Sequence, residues 1–73
     1  MTPGFLVTAA ISQLRSPMLC AWANRPERRA HFETLARLVI DGGNLPPFEM
    51  RAAVRREIAE AYDRHIAALK ERP

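Results

Sequence analysis

The stretch PFEMRAAVRREIAEAYDRHIAALK, Pro47 to Lys70, decides how this chain folds. At 100° per residue, Met50, Val54, Ile58, Ala61, Tyr62, His65 and Leu69 gather on one apolar stripe. Glu60 stands one turn before Arg64 on the outside, the favourable order for a solvent-facing ion pair. The pattern predicts one long amphipathic helix from near Pro47 to about Lys70. Upstream, Asp41-Gly42-Gly43-Asn44-Leu45-Pro46-Pro47 must leave helical geometry, because each proline pushes its predecessor to extended backbone.

Before that connector lies a second amphipathic segment. Asn24 is a good N-cap and Glu27, three residues on, could reach back to it in a capping box. The helix should run to about Asp41 and stop at Gly42-Gly43. Arg28, His31, Phe32, Leu35, Leu38 and Val39 form its stripe, with Glu33 and Arg37 opposite as an exposed pair. The first third is less regular. Ser16-Pro17 reads as a cap followed by a first-turn proline, so the region from Phe5 to Asn24 divides there. Within its first half, Gln13, Leu14 and the alanines lean to helix, whereas Phe5, Val7 and Ile11 could alternate in a strand. The adopted reading is helix, which makes the chain an all-α domain of three or four helices spanning residues 1–73.

A single domain of 73 residues buries only about 60% of its unfolded surface. Small folds often add disulfides, metals or oligomerisation, but Cys20 is alone and cannot close an intramolecular bridge. A lone thiol fits a reducing compartment. The longest apolar run, Phe5 to Ile11, is too short to cross a bilayer. No charge precedes Arg15, so the positive flank of a secretory signal is missing. These features lead to the expectation of a cytoplasmic protein without membrane attachment.

Ser12, Ser16 and Cys20 are the candidate nucleophiles, His31 and His65 the candidate bases, and Asp41 and Asp63 carboxylates that could assist. None lies in a nucleophile elbow, and no glycine-rich loop follows a strand. Cys20, His31 and His65 lack the spacing of a metal cluster. The expectation is a non-enzyme with no cofactor and no metal. Both histidines lie on apolar stripes and are expected to be buried or half-buried, donating to backbone carbonyls.

Net charge is +3, and ten of the eleven basic residues are arginine. Arginine grips carboxylates and phosphates with a planar fork, although a GC-rich genome would enrich it equally well. Arg25, Arg28 and Arg29 open the second segment; Arg51, Arg55 and Arg56 open the third. Cations at a helix start face the positive end of its dipole, so both groups suggest a negatively charged partner. Trp22 either fills the small core or anchors an interface, since Trp and Arg dominate binding hot spots. Phe5 and Leu6 pose the same choice. The candidate contact set is therefore Phe5, Leu6, Trp22, Arg25, Arg28, Arg29, Arg51, Arg55 and Arg56.

The two arginine groups and the apolar third from Phe5 to Trp22 give the chain as a whole a resemblance to small host-takeover proteins of lytic bacteriophages. More narrowly, it resembles phage transcription regulators that bind bacterial RNA polymerase. The resemblance implies a non-enzymatic protein of the host cytoplasm that docks on polymerase, inhibits promoter initiation and affects termination. It assigns no individual residue. The alternative is a nucleic-acid-binding protein of helix-turn-helix type. That motif wants a turn of three or four residues and polar readers at the start of its second helix. Here the connector holds two prolines, and Phe48, Glu49 and Met50 open the last helix. A homodimer joined through the apolar N-terminal third is a third reading, and oligomeric state is left open.

Overall fold

A computed structural model describes residues 2–71. Four α-helices and no strand occur among them: α1 Pro3–Ser12, α2 Pro17–Ala23, α3 Pro26–Asp41 and α4 Pro47–Lys70. Each begins with proline, which is pre-set for a first helical turn and lacks the N–H that would be left over there. Thr2 caps α1 by accepting from the Phe5 N–H at 3.2 Å, and Ser16 caps α2 by accepting from the Leu19 N–H at 3.2 Å. The N-terminal segment is thus two helices and no strand, separated by residues 13–16.

Asn24 does not begin α3. It closes α2, with its N–H on the Cys20 carbonyl at 3.0 Å and helical angles of φ −79° and ψ −5°. Pro26 forces the residue before it to extended backbone, so Arg25 at φ −61° and ψ 138° is the N-cap, without a side-chain cap bond. The capping box between Asn24 and Glu27 is therefore absent. At the other end α3 stops as expected: Gly42 caps it, and Gly43 takes φ 150°, a conformation that side chains resist.

The core is Leu6, Val7, Ala10, Ile11, Ala23, Phe32, Ala36, Val54 and Ile58, each at most 6% exposed. α1 packs across both α3 and α4, which also pack on each other, and α2 fills in beside them. On α4 the expected stripe is the buried one, except that Leu69 is exposed. On α3 the buried arc is rotated from the expected stripe. It runs through Phe32, Ala36, Leu35 and Val39, leaving His31 and Leu38 outside. α1 lies on the Arg29–Glu33 side of α3, where Arg29 donates to the Gly4 carbonyl and to Thr8 Oγ1. Glu33 accordingly sits 3.8 Å from Arg29, and no ion pair joins it to Arg37 among the described residues. His31 is exposed rather than buried, whereas His65 is half-buried with its ring 5.5 Å from that of Trp22. Neither donates to a backbone carbonyl among the described residues.

The radius of gyration is 12.5 Å, above the roughly 11 Å of an evenly compact chain of this length. The excess comes from α4, whose 24 residues extend about 36 Å along a molecule 44 Å long. Residues 67–71 are exposed. Among the described residues no helix is long and apolar enough to cross a membrane.

Candidate binding surface

Trp22 lies at the meeting of three helices. Its ring is 6.1 Å from Phe32 on α3 and 5.3 Å from Tyr62 on α4, both tilted or edge-on geometries that aromatic quadrupoles favour. The Arg28 guanidinium carbon stands 4.6 Å from the ring centroid, within cation–π range. Trp22 is half-buried and its Nε1 is enclosed without a hydrogen-bond partner. Of its two readings, the geometry matches core filling.

The arginines at the start of α3 divide. Arg28 Nη1 donates to the Trp22 carbonyl at 3.1 Å. Arg29 donates to Thr8 Oγ1 at 2.9 Å, to Asn24 Oδ1 at 3.2 Å and to the Gly4 carbonyl at 3.4 Å. Trp22 and Asn24 end α2, so these two cations face the carboxyl end of one helix dipole while leaving the amino end of another. Their position is explained inside the fold and needs no external anion. Arg25 is exposed, with no hydrogen bond or ion pair from its side chain among the described residues. Leu6 is wholly buried, and Phe5 beside it is 60% exposed.

The α4 group is arranged differently. Arg51 is half-buried, its Nε on the Pro47 carbonyl at 3.4 Å. Arg55 donates through Nη1 to Gln13 Oε1, tying α4 to the end of α1. Arg56 is exposed and without a partner among the described residues. Arg55 and Arg56 line an open groove of about 730 Å³ whose other wall is Gln13, Leu14 and Arg15, with Phe48 and Ala59 completing α4's side. Three guanidiniums and no carboxylate line it. Phe48 is 66% exposed at its edge.

On its far side Arg56 also borders a furrow of about 340 Å³ between α3 and α4, where Leu35, Leu38, Val39, Ala53 and Val54 meet Glu57. Arg56 therefore forms a ridge between a cationic groove and an apolar furrow. A third recess, by the start of α1, holds Glu33 and Arg37 and is balanced in charge.

Of the sequence-derived contact residues, the fold brings Arg55 and Arg56 together, holds Arg51 lower on the same helix, and places Leu6, Trp22, Arg28 and Arg29 in internal contacts. Arg15 and Phe48 were absent from that set. Phe48 recurs with Arg55 and Ala59 at helical spacing, a signal available in the sequence. Arg15 reaches the groove only through the α1–α2 turn. Among the described residues no group of three His, Cys, Asp or Glu side chains is placed to hold a metal. Comparisons with family models, curated proteins and solved structures each give no match.

Proposed function

We propose that this chain is a non-enzymatic, phage-type regulatory protein of the host bacterial cytoplasm. It docks on a large bacterial enzyme, RNA polymerase, inhibits host transcription initiation and also acts on termination. The contact face in this reading is the Arg56 ridge with the groove and furrow on either side of it. One observation supports it above the others: Arg15, Arg55 and Arg56 converge with an exposed phenyl ring on a groove lined by no carboxylate. Cationic forks beside an apolar anchor are the composition of an interface hot spot, and the unopposed charge would speed encounter with an acidic surface.

Affinity capture from bacterial lysate at physiological salt tests the reading. Tagged wild-type protein should retrieve polymerase subunits and, when purified, reduce promoter-dependent transcription in vitro. Arg56→Glu should lose both effects while remaining folded. Failure of the wild type to retrieve any polymerase subunit ends the proposal. Titration with duplex DNA at two salt concentrations separates it from the helix-turn-helix reading, since tight binding that collapses steeply with salt is the mark of phosphate contacts.

A further inference from the structure

We propose that the groove between the α1–α2 turn and the first half of α4 receives a short acidic segment of a partner protein, one that carries an apolar side chain among its carboxylates. This rests on the binding-protein reading above and adds the chemistry of the ligand, whichever protein supplies it.

Charge is the first argument. The other two recesses each pair a guanidinium with a carboxylate, Arg56 with Glu57 and Arg37 with Glu33, whereas this groove holds Arg15, Arg55 and Arg56 alone. A guanidinium fork matches a carboxylate in two-point geometry. Arg55 is held in place by Gln13, so less side-chain freedom is lost when it binds. Shape and polarity narrow the ligand further. Leu14 and Ala59 contribute apolar surface and Phe48 is 66% exposed. A bare anion would leave that surface wet; an apolar side chain between carboxylates would cover it.

Size and surroundings favour peptide over nucleic acid. A volume of about 730 Å³ lies in the range that accommodates a few side chains. A duplex needs phosphate contacts spread along its axis, but Glu49, Glu57 and Glu60 interrupt the arginines along α4. Single strands stack on successive aromatic rings, and Phe48 is the one aromatic residue in the lining.

The probe is a short fluorescein-labelled peptide of aspartates and glutamates around one central leucine. It is compared by anisotropy with an all-aspartate peptide of equal length, its lysine counterpart and an oligothymidylate. The leucine peptide should bind the full chain at least about tenfold tighter than the all-aspartate one. Arg15→Glu and Arg56→Glu should each weaken it by about tenfold or more. Phe48→Ala should close most of the gap between the two acidic peptides. All three residues are exposed, so unchanged helicity and melting are expected of the variants. Amide resonances of Gln13, Phe48 and Ala59 should move on titration. The proposal is overturned if leucine confers no preference, or if resonances near Phe5 and Trp22 move instead. Tighter oligothymidylate binding through the same arginines also overturns it, as does self-association that the same variants abolish. Variants that lose the peptide yet still retrieve polymerase leave the peptide site standing and overturn the groove as the polymerase contact. Peptide binding by a wild type that retrieves no polymerase overturns the polymerase reading alone.

Discussion

Two residues of one type, four positions apart, have different physical roles. Arg29 joins α1, the end of α2 and its own helix through four polar contacts. Arg25 begins the same helix in solvent. Arg29→Ala should therefore lower unfolding free energy by about 1 kcal/mol, by removing the bonds that link α3 to Thr8, Gly4 and Asn24. Arg25→Ala should stay within about 0.5 kcal/mol. Urea titration followed by circular dichroism checks both, and equal losses would contradict this division. Trp22 is the other residue with a sharp expectation. Its rings and Arg28 neighbour provide packing, but its Nε1 lacks a partner, a defect worth about 1–3 kcal/mol. Trp22→Phe removes the orphan donor and keeps an aromatic ring, so it should cost far less than Trp22→Ala, for which about 3 kcal/mol is expected.

At the scale of elements, proline and its capping neighbours punctuate the chain. α2 has only seven residues, too few to persist alone in water. Ser16 and the contacts of Trp22 hold it. Ser16→Ala should cost about 1 kcal/mol, which for so small a domain lowers the melting temperature by about 4–8 °C; a thermal melt that does not move would show that the cap contributes nothing. α4 could be read in advance almost to the residue because one stripe and one proline define it. α3 was read with the right end, an N-cap one residue too early and the wrong rotation. Its apolar residues occupy more than one face, and helical periodicity does not say which neighbour will press where. α1 hid its period because Phe5 and Ala9 add apolar character off the buried positions, Leu6, Val7, Ala10 and Ile11, which by themselves repeat as a helix should.

For the whole molecule, the relevant comparison is between Arg55 and Arg56. Arg55 joins α4 to α1 through Gln13, whereas the Arg56 side chain makes no hydrogen bond or ion pair among the described residues. Arg55→Glu should reduce both partner retrieval and melting temperature, and Arg56→Glu should reduce retrieval alone. Retrieval by the wild type should weaken as salt is raised above physiological strength, since exposed charges are screened within about 8 Å there. Salt-independent retrieval would point to the apolar furrow beside Leu38 as the main contact instead.

The all-α class, the long α4 and the break at Ser16-Pro17 were determined by the sequence itself, because backbone geometry around proline and a 3.6-residue repeat act locally. Which arginines remain available for a partner was decided only by tertiary structure. Arg28 and Arg29 are alike in sequence to Arg55 and Arg56, yet the end of α2 and the face of α1 hold the first pair, whereas Arg55 bonds to Gln13 alone and Arg56 makes no side-chain hydrogen bond among the described residues. The groove exists because a turn thirty-odd residues away in sequence, about Arg15, is carried to the start of α4 by the packing of Leu6, Ile11, Val54 and Ile58. Local propensity carries no information about that juxtaposition.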